Sequence, residues 1–102
     1  MAGADLLLRD AADRLLDRIG RWSEARWTAS RTQLVYDLVQ ALADLGARAE
    51  GRPALTVPRL PTVQALPDQV RVMVADLLAV DPPPAGVLTE AAAAVTAVHT
   101  RL

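Results

Sequence analysis

Prolines at 53, 58, 61 and 67 punctuate the stretch "GRPALTVPRLPTVQALP" and divide the chain into two helix-forming parts. Each proline removes a backbone donor and clashes with the preceding turn, and each disfavours α geometry in the residue before it. No regular helix crosses 51–66. Within that segment Val57, Leu60, Val63 and Leu66 recur every third residue, in step with Pro58 and Pro61. Three residues per turn is the polyproline-II period, which predicts an extended strap with one apolar edge laid against the rest of the protein. At about 3.1 Å per residue its ten steps from 57 to 67 reach roughly 31 Å, the length of a 20-residue helix. The strap can return the chain along a whole bundle, and it leaves the direction of the following helix open.

The flanking parts carry helical periodicity. Leu8, Ala12, Leu15, Ile19 and Trp22 alternate at steps of four and three, the stripe of an amphipathic helix. Asp5 with Arg9, Asp10 with Arg14 and Asp17 with Arg21 set an acid four residues before a base, the favourable orientation. Leu34, Leu38, Ala41, Leu45 and Ala49 form a second stripe, widened by Val35 and Leu42, that ends at Gly51 and Pro53. Ser30 followed by Gln33 reads as a capping box, with Ser23 a further cap. The two stripes are out of phase across 22–30, so a break is expected between Gly20 and Ser30. A third helix starts at Pro67 and carries Val70, Met73, Val74, Leu77 and Leu78, with few polar residues. In "DPPPAG" Asp81 is expected to cap and Pro82 to Pro84 to fill the first turn of a last helix. That helix has Val87 or Leu88, then Ala91, Val95, Val98 and Leu102 as its stripe and Ala92, Ala93, Thr96, Ala97 and Thr100 as a small-residue face.

A 102-residue chain fits one domain and can bury roughly 60 to 70% of its unfolded surface. Its apolar content is carried by Ala, Leu and Val with one Ile and no Phe, the composition of closely packed helices. The predicted fold is an all-α four-helix bundle spanning 1–102, with helices over about 4–21, 28–50, 67–80 and 83–101 and an extended Pro-rich strap over 51–66.

Several function classes are disfavoured. A net charge of −1 supplies no global positive field for nucleic acid or an anionic membrane surface. Without cysteine there is no thiolate nucleophile and no sulfur-ligated metal. Acids and arginines interrupt the N-terminal apolar residues, which argues against a signal peptide or membrane span and for a cytoplasmic protein. The residues available for proton transfer or nucleophilic attack are few: His99, Ser23, Ser30, Tyr36 and three glutamates. No inward Glu with Glu-x-x-His pattern and no phosphate-cradling glycine loop occurs. No catalytic, metal-binding or cofactor-binding residue is therefore assigned.

The one local concentration of chemistry is "RWSEARW", residues 21–27, where both tryptophans of the chain sit among Arg18, Arg21, Arg26 and Arg31, offset by Glu24. Arginines interleaved with tryptophan can anchor a protein partner, clamp an anionic aromatic ligand or stack nucleobases. The same residues can equally plug the end of a bundle at a corner between helices. Arg21, Trp22, Arg26, Trp27, Arg31 and Tyr36 are the candidate binding residues. Pro58-Arg59-Leu60-Pro61 fits P-x-x-P, but its neighbours share the strap's apolar period, which favours an intramolecular role.

The segments "RWSEARW", "ALADLGARAEGRP", "VPRLP" and "ALPDQVRVMVADLL" resemble parts of small, all-helical uncharacterised proteins of high-GC actinobacteria, over roughly residues 21–80. The resemblance implies a helical bacterial protein and carries no site residues. Secreted helical hairpins with Trp-x-Gly in the turn differ, since neither Trp22-Ser23-Glu24 nor Trp27-Thr28-Ala29 has that glycine. The expected function is a non-enzymatic protein-interaction or scaffold module that forms a homodimer, with the apolar third helix and the small-residue face of the fourth as surplus surface. The alternative is a bundle holding a small apolar or aromatic anion near Trp22, Arg26, Trp27 and Tyr36.

Overall fold

The computed structural model describes residues 3–82 and 84–102. They form α1 (Gly3–Ile19), α2 (Ala29–Glu50), α3 (Leu66–Leu78) and α4 (Ala85–Arg101), with short 3-10 turns at Glu24–Arg26 and Val63–Ala65. The protein is an all-α four-helix bundle. α1 packs on α4 and α3, and α2 packs on the same two helices, so α1 and α2 stand diagonally although they are consecutive in the chain.

Four of the five residues of the first stripe, Leu8, Ala12, Leu15 and Ile19, are in the core, while the fifth, Trp22, lies beyond the end of α1 and is half-buried. Full burial of a leucine or isoleucine contributes about 1.5–3 kcal/mol each, which is why this stripe sets the helix's orientation. The α2 face is rotated from the one its sequence suggests. Leu38, Leu42, Leu45 and Val35 are buried, but so are Val39, Gly46 and Ala47, while Leu34, Ala41 and Ala49 are only half-buried. A helix packed against α3, α4 and the strap at once buries a wider arc than a single stripe.

Caps differ from the expected ones. α2 is capped by Thr28, whose hydroxyl accepts from the Arg31 N–H at 3.3 Å, because Ser30 already lies inside the first turn. Ser23 precedes the first 3-10 turn without a side-chain cap. Gly51 ends α2 in the left-handed region at φ 67°, where a β-carbon carries a steric penalty. α4 starts at Ala85, later than expected. Pro82 and Pro84 therefore precede the helix, Asp81 is too far upstream to cap it, and Pro83 lies outside the described residues.

The strap runs back along α2. Gln40 holds it at two points: its Oε1 accepts from the Val57 N–H at 2.8 Å, and its Nε2 donates to the Leu55 carbonyl at 3.0 Å. Tyr36 Oη donates to the Val57 carbonyl at 2.5 Å, and further on Arg59 donates to Gln33 Oε1 at 2.6 Å. Partners on α2 thus descend from 40 through 36 to 33 as the strap ascends from 55 to 59. Of the expected apolar edge, Val57 and Leu66 are buried and Val63 is half-buried, but Leu60 is 46% exposed. α2 makes its polar contacts on either side of Val57, and Leu60 is left outside them.

This return decides the direction of α3. Leu66 and Gln69 at its start lie near Tyr36, and Leu77 at its end lies by Gly46, whose added β-carbon would sit 3.9 Å from Leu77 Cδ2. α3 is therefore parallel to α2. Arg18 donates to the carbonyl of His99 at 3.4 Å, which brings the C-terminal ends of α1 and α4 together. An ion pair between Arg48 and Glu90 joins the last turns of α2 to the first turns of α4, so those two are antiparallel. The apolar surplus of α3 is largely taken up inside the bundle: Leu66, Pro67, Val70, Val74 and Leu77 are buried, and Val72 stays exposed.

Candidate functional site

The Arg-Trp segment forms the corner between α1 and α2. α1 stops at Ile19, and at Gly20 a β-carbon would lie 2.7 Å from the Leu16 carbonyl oxygen, so the chain turns most easily where there is none. Trp22 and Trp27 then meet edge to face, with ring centroids 4.9 Å apart and planes at 72°. That geometry matches the quadrupole preference of aromatic pairs. Trp27 is the buried member at 7% exposure, while Trp22 is half-buried and packs on the core from outside.

The side chains of Arg31 and Arg21 are engaged within the chain. The Arg31 guanidinium lies 5.3 Å from the Trp22 ring centroid and donates to the Arg26 carbonyl at 3.0 Å. Arg21 pairs with Asp17 at 3.0 Å across one helical turn. Arg26 itself is exposed, and its role in the corner is through its backbone carbonyl, which also accepts from the Thr28 N–H. Tyr36 stands apart from this group. Its hydroxyl is bound to the strap, and Arg59 lies 3.9 Å from its ring centroid. Five of the six candidate residues are thus gathered at one corner, and the sixth fastens the strap.

Elsewhere the chemistry is that of an outer surface. Among the described residues no polar or charged side chain is buried, and no group of three or more His, Asp or Glu is arranged to hold a metal ion. None of the described helices is long and apolar enough to cross a membrane. A protein stabilises a developing charge best in a water-excluded pocket lined by fixed polar groups, whereas Arg21 and Arg26 of the corner are exposed and Arg31 is half-buried against Trp22. No family model, curated protein or solved structure matches this chain. Its surfaces carry the functional reading on their own chemistry.

A cleft of about 490 Å³ lies between α1 and α3 and is lined by Arg9, Ala12, Asp13 and Leu16 on one wall and by Arg71, Val74, Ala75, Leu78 and Ala79 on the other. The expected Asp5–Arg9 ion pair does not form. Of the three acid–base pairs along α1, Asp10–Arg14 and Asp17–Arg21 close at 3.1 and 3.0 Å, whereas Arg9 lies along the cleft beside Asp13. Leu6 and Leu7, in the first turns of α1, are 63% and 54% exposed. The cleft itself did not stand out in the sequence, because the strong core stripe of α1 masks a second, weaker one. The signal was there in the spacing of Leu6, Arg9, Asp13 and Leu16, which places all four on one side of the helix.

Proposed function

We propose that this protein is a non-enzymatic interaction module that works by associating with a second copy of itself. The observation that carries this reading is the exposure of Leu6 on α1, on the side of the helix that carries Arg9, Asp13 and Leu16 of the cleft, which Ala12, Val74 and Leu78 also line. Single exposed leucines are ordinary on a protein surface, but apolar side chains beside an apolar cleft form the kind of patch that partners cover. Of the surplus surface the sequence suggested, α3 buries most of its apolar face and leaves Val72 exposed, while α4 keeps Ala93, Thr96, Ala97 and Thr100 exposed; α1 adds Leu6.

Light scattering at tens of micromolar tests this directly. A mass near twice the 10.9 kDa of the chain is expected. A mass equal to that of one chain would remove the reading.

A further inference from the structure

We infer that the self-association surface is one side of α1, which pairs with the same side of α1 in a second copy, antiparallel across a two-fold axis. The inference rests on the self-association proposed above and adds to it a surface and an orientation. Its ground is charge complementarity. Leu6, Arg9, Asp13 and Leu16 follow the 3-4-3 spacing of a coiled-coil seam beside the core stripe, with Leu16 half-buried against the core. Reversed about its midpoint at Ala11, this series maps leucine onto leucine and arginine onto aspartate. In an antiparallel pair Leu6 therefore meets Leu16 of the other copy, and Arg9 meets Asp13, with every contact made twice. An isologous two-fold interface requires this kind of self-complementarity.

The structure leaves these groups available. Arg9 and Asp13 are exposed, and neither takes part in an ion pair among the described residues, whereas Arg14 on the same helix and Arg21 just beyond its end are paired within the chain. In one helix the order Arg9 then Asp13 is the less favourable orientation for an (i, i+4) pair, since each charge opposes the helix dipole. A second copy supplies the partner that the helix's own turn does not. Across the cleft, Ala75 and Ala79 keep the α3 wall low, so that a helix resting on α1 sinks toward α3. Contact then extends beyond a single seam, toward the roughly 800 Å² per partner of a standard interface.

The test is a charge-swap series on the full chain, read by sedimentation equilibrium, with far-ultraviolet circular dichroism confirming that each variant is folded. Both positions are exposed, so the fold is expected to tolerate either change. Arg9→Asp alone puts two aspartates opposite two aspartates, and Asp13→Arg alone puts arginines opposite arginines; each variant is expected to weaken the dimer at least tenfold. Mixing the two variants makes both cross-pairs complementary again and is expected to restore a dimer, as is the double variant Arg9→Asp/Asp13→Arg. Raised salt weakens the wild-type pairing by screening. If the wild type is a dimer and the single variants dimerise equally well, the α1 surface is wrong and self-association stands. A dimer that weakens in the single variants but is not restored by mixing refutes the antiparallel pairing of 9 with 13. If the wild type is a monomer at these concentrations, self-association itself fails and the surface with it.

Discussion

Replacing Trp27 with alanine is expected to lower the unfolding free energy by about 3–5 kcal/mol, the usual cost of removing a large aromatic side chain from a packed core. The side chain is 7% exposed and belongs to the same buried cluster as Ile19 and Val35. The substitution opens a cavity at the point where α1 turns into α2, and it strips Trp22 of its edge-to-face partner. Domains of this size are stable by about 5–15 kcal/mol, so the variant loses a large share of the total, and its melting temperature falls by on the order of 20 °C. Trp22→Ala is expected to cost only about 1–2 kcal/mol, because the ring is half-buried and loses chiefly the aromatic pairing and the Arg31 contact. Urea denaturation of the two variants followed by circular dichroism decides the matter. Equal and small losses in both would mean that the corner does not close the core, and the Arg-Trp segment would regain its standing as an exposed recognition surface.

Gln40→Ala is expected to cost about 1–3 kcal/mol, more than its partial exposure suggests, because one amide holds two backbone groups of the strap. Without Gln40 Oε1 the N–H of Val57, a residue 6% exposed, loses its acceptor. The strap has no helical hydrogen bonds of its own to compensate. Opening is therefore expected first between Gly51 and Thr62, as faster proteolytic cleavage in that segment while circular dichroism still reports a folded bundle. Tyr36→Phe removes the bond to the Val57 carbonyl and is expected to act in the same direction with about half the effect. Cleavage in the strap no faster than in the wild type would show that side chains other than Gln40 hold it.

How much of this was legible in the sequence depends on how local the cause is. The α1 stripe, the break after Gly20 and the proline strap follow from periodicity and from what proline forbids, and all are present in the fold. The caps were misassigned because a cap depends on the exact first residue of a helix. Burial of Trp27 brings that start to Ala29, which gives the role to Thr28 and leaves Ser30 inside the turn. Neither the direction of α3 nor the rotation of the α2 face could be read beforehand, since both depend on which side of α2 the strap follows. That is settled by Gln40, Tyr36 and Gln33 acting together across the gap to 55–59. At the candidate site, the sequence located the Arg-Trp concentration and paired Arg21 with Asp17, as the fold does, but could not tell that Arg31 engages the Arg26 carbonyl. It also placed Tyr36 in that group on proximity alone, and the fold attaches Tyr36 to the strap. The uncovered side of α1 went unremarked because two leucines and a single opposed charge pair are a faint pattern beside a complete core stripe.

Self-association of the folded bundle is the central claim, and the dependence of thermal unfolding on protein concentration tests it most directly. A partner that binds only the folded chain raises its apparent stability by mass action. Between about 2 and 200 µM the melting temperature of the wild type is expected to rise by roughly 5 °C, given the unfolding entropy of a dimer of this size. A melting temperature that stays constant across that range would show that the chain folds and unfolds alone, and would contradict the account.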